Sequence, residues 1–168
     1  MEILDVYDNN GNTTGRIIIR GDKNAILNDN EHVAIAVIFI ENSNGEFLIQ
    51  KRSELKGGKY AFTGGHVDSG ETPLDAIKRE VKEEIGVNIS NDLIEEYGFM
   101  IYDIPLRYIY YLKKDIDISD IKLQEDEVEY VKNMDLEQIN ELIETNQMLE
   151  SHKIMFNEFT KRKNIKKR

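Results

Sequence analysis

Residues 64–87 read Gly64-Gly65-His66-Val67-Asp68-Ser69-Gly70-Glu71-Thr72-Pro73-Leu74-Asp75-Ala76-Ile77-Lys78-Arg79-Glu80-Val81-Lys82-Glu83-Glu84-Ile85-Gly86-Val87, and the fold is decided there. Thr72 can cap a helix, Pro73 suits its first position and Gly86 its end, so a helix is predicted over 73–85. At 100° per residue, Leu74, Ile77, Val81 and Ile85 fall within an arc of ~80°, a core-facing stripe. Glu80, Glu83 and Glu84 occupy a separate arc of ~100°, roughly a quarter turn away. Three carboxylates at i, i+3 and i+4 repel one another by a few tenths of a kcal/mol per pair. They also sit past mid-helix, where the helix dipole gives them no help. A cation would relieve that repulsion, and Gly64-Gly65 would let the backbone approach a ligand closely.

Outward from this helix the pattern alternates between strands and helices. Glu2–Tyr7 and Arg16–Arg20 flank the turn-forming Asp8-Asn9-Asn10-Gly11-Asn12 and predict a hairpin within residues 1–30. Val33–Ile40 is apolar throughout, as in a strand buried on both faces. Asn42-Ser43-Asn44-Gly45 turns it into a strand over 46–51. Residues 57–70 hold five of the eleven glycines and read as one long functional loop. Strands near 94–103, 106–113 and 127–134 precede helical patterns over 135–146 and 149–162. The class is α/β with a mixed sheet, in a single domain over 1–160 with a basic tail over 161–168.

Composition narrows the functions available. The 168 residues suit one hydrophobic core. The longest apolar run falls far short of the roughly 20 residues that span a bilayer, and Met1-Glu2 opens no basic then apolar leader. The absence of cysteine excludes disulfides, thiolate metal sites and a cysteine nucleophile, and fits a cytoplasmic location. Six basic residues in the last eight leave 16 basic against 32 acidic groups in the first 160. So acidic a body should repel phosphates unless divalent cations intervene.

From Gly65 the spacing is Gly, five residues, Glu71, seven residues, then Arg79-Glu80-Val81-Lys82-Glu83-Glu84-Ile85-Gly86-Val87. This resembles at every specified position the signature of the Nudix (MutT-like) hydrolases, Gly-x5-Glu-x7-Arg-Glu-U-x-Glu-Glu-x-Gly-U with U aliphatic. An accidental match has odds on the order of 10⁻⁷. The resemblance implies an α/β/α sandwich and a pyrophosphohydrolase using Mg²⁺ or Mn²⁺. It also implies Glu80 and Glu84 as principal metal ligands, with Glu83 as a further ligand or a catalytic carboxylate. A carbonyl of Gly64 or Gly65 would complete the coordination, and Arg79, paired with Glu71, would orient the carboxylates. All-oxygen ligation suits Mg²⁺ or Mn²⁺ rather than Zn²⁺.

In such a site cations neutralise a diphosphate and activate a water, while a nearby carboxylate takes the proton. Gln124-Glu125-Asp126-Glu127-Val128 resembles the family's later acidic segment; Glu127 is the first choice of base and Glu125 the second. Lys51 and Arg52 precede the glycine loop and could meet a phosphate, as could His66. Tyr60, Phe62, Tyr102 or Tyr108 could stack on a base. His32 reads as structural.

Gly64-Gly65-His66 also resembles the Cys-Gly-His segment of the isopentenyl-diphosphate isomerases, but that enzyme's cysteine is missing. The expected substrate is a nucleoside diphosphate linked to another moiety. Prenyl-diphosphate isomerisation and non-catalytic nucleotide or RNA binding are the rival functions. Nucleic acid and membrane are not expected partners, and a homodimer is an assembly that many relatives adopt.

Overall fold

The computed structural model describes residues 1–166, with side chains to Asn164. The strands are β1 (Ile3–Tyr7), β2 (Thr13–Ile19), β3 (Ala34–Glu41), β4 (Phe47–Arg52), β5 (Tyr60–Ala61), β6 (Thr63–His66), β7 (Glu95–Ile101), β8 (Leu106–Lys113) and β9 (Val128–Met134). The helices are α1 (Pro73–Ile85), α2 (Leu136–Glu144) and α3 (Glu150–Lys166). No helix among the described residues is long and apolar enough to cross a membrane.

β3 is apolar at nearly every position because both of its faces are covered. Ala34, Ala36, Ile38 and Ile40 pack with Ala76, Ile77, Val81 and Ile85 of α1. Val37 and Phe39 point the other way, into a core shared with Ile139 and Leu142 of α2 and Met155, Phe156 and Phe159 of α3. The result is an α/β/α sandwich. Its sheet is mixed: β3 runs parallel to β8 and antiparallel to β4 and β6, and β9 pairs antiparallel with β4. Ile77, Val81 and Ile85 are fully buried, each contributing roughly 1.5–3 kcal/mol.

The capping signals work as the sequence reads. The Thr72 hydroxyl accepts from the Asp75 N–H, and Gly86 closes α1 at φ 70°. Residues 57–70, by contrast, are not one loop, because β5 and β6 lie within them. Gly64 and Gly65 are strand residues that pair with Val37 and Ala36 of β3. They are small because neighbours press on the backbone, not because the chain turns there. The β1–β2 hairpin is fastened to the start of the motif: Asp5 accepts from Ser69 Oγ at 2.7 Å and from the Gly70 N–H at 3.1 Å. Residues 161–166 continue α3, and the remainder of the basic segment lies outside the described residues.

Candidate active site

Helical spacing places three glutamates on one side of α1, and packing grades their burial. Glu84 is 9% exposed, while the side chains of Glu80 and Glu83 are 16% and 49% exposed. Glu84 Oε2 accepts from the Gly64 N–H at 3.2 Å. Gln50, which lines the same cavity, donates through Nε2 to Thr63 Oγ1 at 2.7 Å. Burial pushes Glu80 up to about 7 against the pull of Arg79. Burial also lifts Glu84 well above the ordinary carboxylate range, and the charge on Glu80 adds to the effect.

Arg79 ties the loop to the helix. Its Nε and Nη2 donate to the two oxygens of Glu71 at 2.7 and 2.9 Å, a forked pair. Nη1 reaches Glu80 Oε1 at 2.9 Å and Glu83 Oε2 at 3.2 Å, and Nη2 also reaches the His66 carbonyl at 3.1 Å. Glu71, the strongest of its partners, keeps this guanidinium firmly charged.

The donor chemistry fits a hard divalent cation. Two buried carboxylates repel each other, and Gly65 lies so close to Glu80 that a β-carbon there would collide with its Oε1. At Gly64 a β-carbon would strike the Ala36 carbonyl. Among the described residues, no three acidic or histidine side chains already converge as a ready-made ligand set. Arg79 already engages one oxygen each of Glu80 and Glu83.

Glu80, Glu83 and Glu84 open onto a cavity of about 380 Å³. Glu127 and Gln124 line it too, because the loop before β9 is stitched to α1: the Gln124 N–H donates to the Glu84 carbonyl at 3.0 Å, and Ser53 binds Asp126 and Glu127 through their carbonyls. Lys56 Nζ lies 3.2 Å from Glu127 Oε1. Glu125 is not among the lining residues.

Part of the cavity's lining is basic. Arg52 lines it, whereas Lys51 turns away to Glu54 and Glu129 at 3.8 and 3.6 Å. His66 lines the cavity half-buried, and burial, with help from Arg20, lowers its imidazole to about 4, so it is neutral near pH 7. His32 is structural as expected, bonded to the Ile104 carbonyl at 2.7 Å and to Asn9 Oδ1 at 2.6 Å. Of the aromatics, only Phe62 borders the cavity, and it is 1% exposed inside the Phe39–Phe156 cluster. Tyr60 bonds Tyr130, and Tyr108 lines a separate groove beside Thr72 and Tyr110.

Sequence reasoning missed Arg20, Arg107 and His152, which also line the cavity. They sit in the hairpin, in β8 and at the start of α3. Only strand register and helix placement bring them together, and no local spacing signals either.

The NUDIX domain family model matches residues 30–156. The chain is 32% identical over 148 residues to an uncharacterized Nudix hydrolase of Listeria innocua, covering 84% of this chain and 85% of that one. It is 36% identical over 89 residues to the 8-oxo-dGTP diphosphatase of Haemophilus influenzae, covering 50% of this chain and 64% of that one. A crystal structure from Deinococcus radiodurans shares the fold with a TM-score of 0.76 at 22% identity, over 93% of this chain and 98% of that one. With the full motif, the buried glutamates and these matches together, the chain belongs to the Nudix hydrolase family and is a pyrophosphohydrolase.

Proposed function

We propose that this enzyme hydrolyses, with Mg²⁺ or Mn²⁺, the pyrophosphate bond of a nucleoside diphosphate linked to another moiety. The observation that carries the reading is the Glu80–Glu84 pair, one partly and one fully buried, pressed against Gly64-Gly65 in a cavity that arginines also line. Glu80 and Glu84 would hold the cation, with Glu83 and a carbonyl of Gly64 or Gly65 as further oxygen donors. When bound, the cation neutralises the diphosphate and makes a water acidic enough to attack phosphorus near neutral pH.

The chain's own groups do the rest. Glu127 is the first candidate to accept the water's proton, since it borders the same cavity. The water oxygen bonds to phosphorus, the bridging P–O bond breaks, and the second phosphate leaves with the electron pair. Arg79 orients the carboxylates through its fork to Glu71 and its bond to Glu80. Arg52 and His66 contact substrate oxygens, Arg52 as a charge and His66 as a neutral hydrogen-bonding ring.

A panel of nucleoside diphosphate derivatives, assayed with Mg²⁺ or Mn²⁺ and read as phosphate released by added alkaline phosphatase, tests this. Turnover should depend on the cation and fall sharply in both Glu83→Gln and Glu84→Gln. Activity left unchanged by both substitutions would refute the site.

A further inference from the structure

The cavity is also lined by groups that the proposed hydrolysis does not use. Arg107 of β8 is 7% exposed there. Its Nε donates to the Tyr102 carbonyl at 3.1 Å, and the guanidinium lies 5.4 Å from the centroid of the Tyr102 ring. Among the described residues no carboxylate lies within ion-pair distance of it, and its two terminal amino groups carry no hydrogen bond. No side-chain nitrogen in the described residues is both buried and unpartnered, so those amino groups open onto the cavity.

Leu149 and, in the first turn of α3, Ser151 and His152 face the same space. That turn is the positive end of a long helix. His152 brings no countercharge: it is deeply buried, its Nδ1 accepts from the Phe62 N–H at 3.0 Å, and burial holds it neutral. A guanidinium so desolvated, with both terminal amino groups free, is matched by a phosphate group, whose charge and tetrahedral oxygens exceed what a carboxylate offers.

Register separates this end from the glutamates. Arg107 pairs with Ile35, and Ile35 with His66, which places Arg107 two strand spacings, on the order of 10 Å, from β6. Its backbone is set that far from the glycine strand, yet its charge still acts on His66, so Arg107 is placed to take a phosphate next to the one held at the proposed cation site.

We propose that Arg107 and the first turn of α3 form a second anion subsite that binds a phosphate of the substrate beyond the scissile diphosphate. The substrate extension rests on the hydrolase reading above; the subsite itself does not. Such a phosphate is carried either by a longer polyphosphate chain or on the second moiety.

The test is binding of inorganic phosphate to the full chain in EDTA, which separates it from turnover. Phosphate should raise the unfolding temperature of wild type and of Glu83→Gln, with affinity at least tenfold weaker in Arg107→Gln and intermediate in Arg107→Lys. In wild type alone, phosphate should shift the amide NMR signals of Ser151 and His152, which keeps the test independent of whether a variant folds. Equal protection by acetate, unchanged binding in a folded Arg107→Gln, or amide shifts confined to Gly64 and Gly65 would overturn the subsite. Displacement of phosphate by tripolyphosphate assigns it to a polyphosphate chain and displacement by ribose 5-phosphate to a sugar; displacement by neither overturns the extension to substrate.

Discussion

Two sets of groups line the cavity: an acidic wall of three glutamates on consecutive turns of a single helix, and a basic wall in which Arg52, Arg107 and the start of α3 come from three separate parts of the chain. The acidic wall is concentrated and partly buried, so its charges oppose one another and require a countercharge. The basic wall is dispersed, its cations drawn from different strands. On the readings proposed above, the first would grip a cation and the second would receive an anion beside it. Substitutions that affect the two walls differently test that division.

The largest effect is expected at Glu84. Glu84→Gln should lower kcat by on the order of 10²–10³-fold, because a buried ligand carboxylate is lost. The same change should raise stability in EDTA at pH 8, because an amide replaces a charge that burial disfavours. Steady-state kinetics and thermal unfolding of the one variant check both signs. Full activity, or a marked loss of metal-free stability, would make the acidic wall an ordinary structural cluster.

Next in size is the pH dependence of the metal-free protein, where the two walls predict opposite slopes. Glu80 rises from an ordinary 4.5 to about 7, so between those values the folded state binds more protons than the unfolded chain. Stability from this group therefore falls as pH rises, by about 3 kcal/mol at most, and the loss is complete above pH 7. His66 and His152, lowered to about 4 and about 3, act with the other sign: their contribution is lost on acidification below 6.5. The two trends offset each other between pH 4.5 and 6.5, leaving a fall near pH 7 that belongs to the glutamates. Glu80→Gln should shrink that fall to the part contributed by Glu84 and steepen the rising slope in acid; denaturant unfolding in EDTA from pH 4 to 8 measures it.

The two walls also differ in how far a single sequence discloses them. The helix period fixes where Glu80, Glu83 and Glu84 face, and Thr72, Pro73 and Gly86 mark the bounds of α1, so this wall is legible. The double-sided burial of β3 is legible too, from a run in which no polar residue interrupts. Arg107 is not. Its position depends on β8 pairing in parallel with β3 at the Ile35–Arg107 register, and a parallel pairing across a crossover leaves no local trace. The hairpin shows the same limit: its turn is readable, but its docking onto Ser69 and Gly70 through Asp5 is not. Glycine misleads in residues 57–70, where it suggests turns although Gly64 and Gly65 are strand positions crowded by neighbours.

That crowding supplies the smallest and most discriminating test, since adjacent glycines there face different kinds of neighbour. A β-carbon at Gly64 meets the Ala36 carbonyl and the Val37 backbone, which cannot move without disturbing β3. Gly64→Ala should therefore cost about 1–3 kcal/mol of stability in EDTA. A β-carbon at Gly65 meets only the carboxylate tip of Glu80, the end of a flexible side chain that can swing aside. Gly65→Ala should fold nearly as well as wild type and lose about tenfold in Mn²⁺ affinity, because the displaced group is a proposed ligand. Phosphate binding at Arg107 in EDTA should not change, since that end of the cavity lies two strands away. Thermal unfolding together with Mn²⁺ titration separates the cases. If Gly65→Ala unfolds like Gly64→Ala, or binds Mn²⁺ as wild type does, then Gly65 shapes the strand rather than the cation seat, and the seat must be drawn without Glu80.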